Sequence, residues 1–359
     1  MGAQKSIHAG EAKIDVNVDL THKLFSSLML PSISQGPFSL VIGSFCIKHP
    51  NLFGGKEKLD FSWDKGLYDS NVIIAFRRPR SERLAQQCFL IQHSLMPDIG
   101  VHGAAIENFS RSVGGGVNLS RLSTGVELKE PSGSHWSSTT SIKFERVGIF
   151  GDDGRPITTD LDGFPVTCSG DAHDNMMILK QESSYARANE KSLTRFRIQI
   201  EQGIPVSSKW LLFNRFKFST TKGVKLGPAF YLVSLFGGSI VGDMAAYQAF
   251  AIGGIGSVRG YGEGAVGSGR SYFAANNELT FPLYKKMVDG ALFLDYGTDL
   301  GSGCFVPGNP ARRRGKPGSG IGFGYGVRLK LPLGHLQVDY ATNAFLQKTI
   351  HFVISNISS

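Results

Sequence analysis

Apolar and polar residues take turns along most of this chain, with a period of two. In 12–21, Ile14, Val16, Val18 and Leu20 share one face, and Lys13, Asp15, Asn17, Asp19 and Thr21 share the other. Leu59, Phe61 and Trp63 alternate with Lys58, Asp60, Ser62 and Asp64, and Phe196, Ile198 and Ile200 with Arg195, Arg197, Gln199 and Glu201. The last third is cleaner still. Leu292, Leu294 and Tyr296 oppose Ala291, Phe293 and Asp295. Ile321, Phe323, Tyr325, Val327, Leu329 and Leu331 oppose Gly320, Gly322, Gly324, Gly326, Arg328 and Lys330. Leu336, Val338 and Tyr340 oppose Gln337, Asp339 and Ala341, and Ile350, Phe352 and Ile354 oppose His351, Val353 and Ser355. Successive side chains of an extended strand point to opposite faces, so this rhythm predicts strands with one apolar face each.

About sixteen such segments are expected: 12–21, 38–49, 57–66, 69–78, 87–96, 112–130, 135–147, 175–185, 194–202, 208–220, 224–236, 271–281, 289–297, 318–331, 335–343 and 348–355. The connections between them alternate in length. Stretches 50–56, 131–134, 221–223 and 332–334 are short or moderate, whereas 21–37, 97–111, 148–174, 237–270 and 298–317 are long. Short turns on one rim and long loops on the other are the habit of a membrane-spanning barrel; a sandwich gives no reason for that parity.

A soluble sandwich would bury the apolar faces together, while a membrane barrel turns them to lipid and lines its lumen with the other set. Three features favour the barrel. Many segments approach the roughly 9–11 residues of a tilted spanning strand. Aromatics bracket them (Trp63, Trp136, Trp210, Phe281, Tyr340), as an interfacial girdle requires. The polar faces carry charge on too many strands for one exposed sheet. The expected fold is therefore all-β: a transmembrane antiparallel barrel over 12–355, preceded by a short segment 1–11, with one long loop, 237–270, folded into the lumen. A helical span over 226–242 is the rival membrane reading, disfavoured by Pro228, several glycines and Asp243 directly after it.

Composition agrees. Glycine makes up 45 of 359 residues, about twice the usual share of roughly 7 %, and only 19 % of residues are charged. The formal charge is +9. Cys46, Cys88, Cys168 and Cys304 are isolated, which matches neither a zinc site nor a disulfide framework. No apolar leader opens the chain. Met1-Gly2 with Ser6 fits the loose myristoylation pattern.

The stretch that organises the rest is 253–270, GGIGSVRGYGEGAVGSGR. It is too rich in glycine for a helix, and its ionisable groups are Arg259, Glu263, Arg270 and Tyr261. Arg259 stands between Val258 and the pair Gly260-Tyr261. Parity puts this loop on the long-loop rim, and 245–255 is apolar enough to leave water. The following strands offer Glu278 and Asp295 at inward positions, so Arg259 can be drawn into the lumen and held by Asp295, with Glu278 nearby. A buried guanidinium needs such a carboxylate to offset its desolvation. The alternative is a solvated loop arginine.

An ordered set of motifs adds to this. Val258-Arg259-Gly260-Tyr261, Asn277-Glu278-Leu279 before Pro282-Leu283, Phe293-Leu294-Asp295-Tyr296-Gly297, Gly324-Tyr325-Gly326-Val327-Arg328 with Pro332-Leu333-Gly334, and Asp339-Tyr340-Ala341 resemble the barrel of the BamA superfamily. Asn51-Leu52-Phe53-Gly54 and Gln202-Gly203 look like further landmarks. That family comprises outer-membrane assembly insertases, two-partner secretion transporters and chloroplast outer-envelope relatives. The resemblance covers essentially the whole chain and is closest to short forms of the plastid insertase. It implies a sixteen-stranded barrel whose loop arginine meets the aspartate of the Phe-x-Asp strand, here Arg259 with Asp295. It also implies residence in the plastid outer envelope, and a role in protein insertion or transport. Expected partners are the lipid bilayer, precursor or β-barrel clients, and a full-length relative. With a first strand near 12, the sequence leaves no room for the substrate-receiving POTRA domains of full-length members.

Other patterns carry less. Gly262-x-Gly264-x-x-Gly267 matches a dinucleotide fingerprint but lacks the flanking strand and helix. The basic run Arg312-Arg313-Arg314 with Lys316 reads as a solvated loop, with anionic headgroups or a precursor as the alternative contact. His93, His102, His135 and His173 are scattered, and no catalytic constellation, cofactor site, metal site or nucleic-acid surface is expected. Two further function classes stay open beside insertion: a solute or ion pore, and a lectin-like sandwich.

Overall fold

A computed structural model describes the side chains of residues 45–353, apart from 50–51, 55–56, 67–68, 79–83, 97–117, 132–134, 152, 161–162, 285–286, 309–314 and 331–335; some flanking strands are placed by backbone alone. Among the described residues, fifteen long strands run in sequence order: β1 (Leu40–His49), β2 (Lys58–Gly66), β3 (Ser70–Arg78), β4 (Gln86–Asp98), β5 (Val117–Lys129), β6 (Trp136–Phe150), β7 (His173–Ala188) and β8 (Ser192–Ile204). They continue with β9 (Phe213–Leu226), β10 (Ala229–Gly242), β11 (Ser271–Tyr284), β12 (Val288–Thr298), β13 (Ser319–Leu331), β14 (Gly334–Asn343) and β15 (Lys348–Asn356). Each pairs antiparallel with the next, in one continuous ladder from β1 to β15. A broken strand, Phe25–Met29 and Ser32–Ile33, adds to the outer edge of β1. The sheet curls into a barrel in which β15 comes to lie beside Ser32–Ile33 across the seam.

The architecture is a membrane barrel because its surface is inside out. Leu292, Leu294, Phe323, Ile350 and Phe352 are each about half exposed on the outer face, while Asp295 and Asp339 are fully buried inside. A soluble protein does not display an apolar belt of this extent. Trp63 and Trp136 face outward near opposite rims, and Trp136 packs with Tyr185 and Phe196. Register carries one inward set from strand to strand: Glu278 lies opposite Phe293, Asp295 opposite Gly322, and Asp339 opposite Gly326 and His351.

Connections 151–172, 243–270 and 299–318 open on one rim, and 189–191, 227–228 and 285–287 turn on the other. Three expectations change. Segment 12–21 is not the first barrel strand: Ile14–Asn17 pairs with Gly2–Lys5 in a separate two-stranded sheet, and the neighbour of β1 is the broken strand 25–33. The alternation in 12–21 records a strand but not its partner, because pairing is a long-range choice. The turn expected at 221–223 lies at 227–228, where Gly227 takes φ +61° just before Pro228, so β9 and β10 each sit about five residues further on. In consequence the lumenal loop starts at 243 rather than 237. The stretch 226–242 is mostly strand β10, and among the described residues no helix is long and apolar enough to cross a membrane. The run Arg312–Arg314, His102 and the ends of the myristoylation pattern, Met1 and Ser6, lie outside the described residues.

Candidate functional site: a lumenal loop fastened to the wall

Loop 243–270 leaves β10, crosses the lumen and returns to β11. Its first half is apolar and packs dry. Met244, Ala246 and Phe250 join Val147 and Ile149 of β6, Met176 and Ile178 of β7, Leu211, Phe213 of β9 and Ile240 of β10 in one buried cluster. Here the strands turn large aliphatic residues inward, against the general rule of a polar lumen, and the loop supplies their partners. One polar pair stitches the edge of this plug: the Tyr247 hydroxyl donates to Asp174 Oδ2 at 3.0 Å. Burial, then the neighbouring Asp174 carboxylate, holds that phenol well above its usual pKa, so it stays a donor. Asp174 also accepts from the backbone N–H of Cys168 (3.0 Å) and Ser169 (2.8 Å), which ties loop 151–172 to the same point.

The second half of the loop is polar and directional. A short hairpin, Phe250–Ile252 with Gly267–Gly269, leads to the tip at 258–261. Val258 is fully buried with Ile252, Val266 and Tyr261. Arg259, 5 % exposed, forms a fork with Asp295: Nε donates to Oδ2 at 2.7 Å, Nη2 to Oδ1 at 3.0 Å, and the backbone N–H to Oδ2 at 3.1 Å. Its Nη1 donates to Glu278 Oε2 at 2.8 Å and to Asp339 Oδ2 at 3.1 Å. The guanidinium carbon sits 3.6 Å from the centre of the Phe293 ring, a cation–π contact strengthened by the burial of Arg259. Burial works against the charge, but the bonds to Asp295 and Glu278 outweigh it and keep the guanidinium more firmly protonated than usual.

The structure thus brings Val258, Arg259, Gly260, Tyr261, Glu278, Phe293 and Asp295 together. It adds four residues that sequence reasoning did not single out for this site, Asp339, Arg328, Gln337 and His351. Arg328 bonds Asp339 Oδ1 and, at 3.0 Å, Glu278 Oε2. Two cations, Arg259 and Arg328, therefore share three carboxylates, Glu278, Asp295 and Asp339. Gln337 donates to Asp339 Oδ2 at 2.6 Å. His351, on the terminal strand, accepts the Gly260 N–H on its Nε2 at 3.2 Å. The inward alternation of Asp339 and His351 was visible, but nothing local says that the loop tip reaches them.

Glycine makes the approach possible. On the inward face of β13, a Cβ added at Gly322 would fall on the carbonyl oxygen of Arg259, and one at Gly324 would strike the Phe293 ring and the Tyr340 carbonyl. The alternation of glycine with large apolar residues in β13 is therefore a groove that the loop backbone occupies. Gly260 itself takes φ +95° against the backbone of Thr342 and Asn343, a turn that a side chain would oppose.

Nearby, Glu263 has no charged partner among the contacts described, and burial alone pushes its carboxyl up to about 7. No three metal-ligating side chains converge among the described residues.

Comparison with known proteins gives a consistent picture. The model of the Omp85 superfamily domain matches residues 51–357. The chain is 70 % identical to outer envelope protein 39, chloroplastic, of Arabidopsis thaliana, over all of this chain and 99 % of that one. It is 43 % identical to outer envelope protein 80, chloroplastic, of the same plant, over 89 % of this chain but 43 % of that longer protein. Among solved structures, BamA from Haemophilus ducreyi superposes with a TM-score of 0.73 over 98 % of this chain and 74 % of that chain, at 14 % identity, a likeness of fold. The protein is a member of the Omp85 superfamily, a membrane β-barrel of the plastid outer envelope.

Proposed function

We propose that this barrel acts in protein insertion or translocation at the plastid outer membrane, assisting the assembly or transport of precursor or β-barrel clients alone or beside a full-length relative. The supporting observation is the fastening of one loop tip to two places at once. Arg259 grips the wall at β11, β12 and β14, and Gly260 bonds His351 on β15, the strand beside the seam. A loop so placed links the state of the lumen to the edge strand. That edge carries backbone groups able to template an incoming strand. In this reading Arg259, Asp295, Glu278 and Phe293 act as a lock, and its release loosens β15.

The test is reconstitution. Purified protein in liposomes is offered an unfolded β-barrel client, and insertion is followed by protease protection, with cross-links from positions 350 and 352 of β15. Client cross-links at these positions, increased in Asp295→Asn, support the reading. Normal insertion without any contact at β15 overturns it.

The alternative is a solute or ion pore, favoured by the polar inward face of β7–β9 below the plug. A steady large conductance in single-channel recording would select it, and an occluded barrel would favour insertion.

A further inference from the structure

Below the apolar plug, the lumen wall formed by β7, β8 and β9 is cationic beyond what its acids can neutralise. The register makes the count unambiguous. Lys180, Glu201 and Arg215 lie abreast across the three strands; the next rows hold Glu182, Gln199 and Lys217, then Ser184, Arg197 and Ser219, then Ala186, Arg195 and Thr221. Five cations thus face two carboxylates on one surface. Both carboxylates are engaged. Glu201 accepts from Arg215 at 3.0 Å and from Gln199 at 2.5 Å. Glu182 is shared by Lys180 at 3.1 Å and Arg197 at 3.3 Å.

Lys217 and Arg195 are left without a carboxylate within ion-pair distance among the contacts described. Lys217 is partly buried against the floor of the plug, its ammonium 5.6 Å from the centre of the Phe250 ring. Arg195 faces Thr221 and sits two residues from Arg197 on the same face. Beside them lie uncharged hydroxyls: Ser219, Thr221, which shares a hydrogen bond with Ser234, and Ser184, which shares one with Ser137; each hydroxyl that accepts in its pair keeps its own O–H to donate. A lysine held in a confined, low-dielectric lumen near Arg215 and Lys180 carries an uncompensated cost, and a diffusible anion relieves it.

We propose that this wall is a binding site for multivalent oxyanions of the phosphate class, with Lys217 and Arg195 as the principal cations, Arg197 and Lys180 as partly neutralised neighbours, and the three hydroxyls as donors to the remaining oxygens. A phosphate group suits it because it presents several acceptor oxygens and a charge above one to a surface that has donors and surplus positive charge. The same chemistry occurs on a free phosphate and on a lipid headgroup. The site stands apart from the Arg259 cluster, and it holds whether or not the barrel inserts clients.

The experiment uses the full chain, purified in an uncharged detergent at low ionic strength. Inorganic pyrophosphate is titrated by calorimetry, with chloride at matched ionic strength as the blank. Saturable binding is expected, weakening steeply with salt. Lys217→Gln and Arg195→Gln should each weaken it at least about threefold, and together at least about tenfold, close to 1.4 kcal/mol. Lys209→Gln, on the opposite rim and paired with Asp171, should bind as the parent does. Heat-modifiability on gels establishes that each variant is folded. Absence of saturable binding by the parent, or equal binding by the folded double variant, overturns the proposal. Phosphatidic acid, a phosphomonoester lipid, in mixed micelles separates the sources: competition assigns the site to a lipid headgroup, and no competition assigns it to a free anion.

Discussion

The two halves of loop 243–270 are held by different physics. Residues 244–250 fill a space between β6, β7, β9 and β10 with aliphatic and aromatic surface. Residues 258–261 are fixed on the opposite wall by a guanidinium, three carboxylates and close glycine contacts. Apolar packing gives stability without direction, since a neighbouring hydrophobe of similar size serves nearly as well. A bidentate ion pair is directional and intolerant, because a lone buried charge is worse than no pair. The plug thus occupies the lumen, and the tip decides where the loop ends.

The sharpest way to break this contrast is Asp295→Ala. It removes the bidentate partner of a buried guanidinium, which keeps only Glu278 and Asp339 on its Nη1, and should cost about 3–5 kcal/mol, read as a lower temperature of the heat-modifiability transition. Adding Arg259→Ala should restore part of the loss; if the double variant is worse than the single one, direction does not reside in this pair. On the dry side, Met244→Ala should cost about 2–5 kcal/mol, while Met244→Leu should cost under about 1.5 kcal/mol. Equal damage from both would remove the distinction between the halves.

Glu263 tests the tip by pH. Its folded carboxyl lies above the usual 4.5, at about 7, so the loop is at full stability below about pH 4.5 and loses it as pH rises through about 7. The loss approaches about 3 kcal/mol at the upper end. Protease nicking within 253–270 should therefore rise between pH 5 and 8, and Glu263→Gln should flatten the profile. Gly322→Ala places a methyl on the Arg259 carbonyl and should cost about 1–3 kcal/mol by overpacking. Gly256→Ala, with open space around it, should change the melting transition by less than about 0.5 kcal/mol. A modest effect belongs to His351→Phe, which removes the acceptor of the Gly260 N–H and should cost about 0.5–1.5 kcal/mol. Its signature is faster exchange of the Gly260 amide.

Much of this was legible in the residues. Period-two alternation placed β2 to β15 closely, apart from β9 and β10, where the turn lies at Gly227-Pro228 rather than at 221–223. Alternation also set Glu278, Phe293, Asp295 and the glycines of β13 on one face. Arg328, Asp339 and His351 were on that face too, yet nothing marked them as neighbours of the loop tip. Contact across a lumen depends on how far a flexible loop reaches, which no local pattern encodes. The apolar inward residues of β6 and β7 broke the alternation rule, because their partner comes from a loop more than sixty residues away.

By itself the sequence determined the outward and inward faces, the parity of the loops and the place of Arg259 within a glycine-rich segment. These follow from neighbour-to-neighbour geometry, which a strand carries in its own backbone. Tertiary structure alone decided which strand adjoins the seam, which carboxylates share Arg259 and where the lumen is dry. Those depend on closing a long ring of chain, where burial and charge are balanced among residues far apart in order.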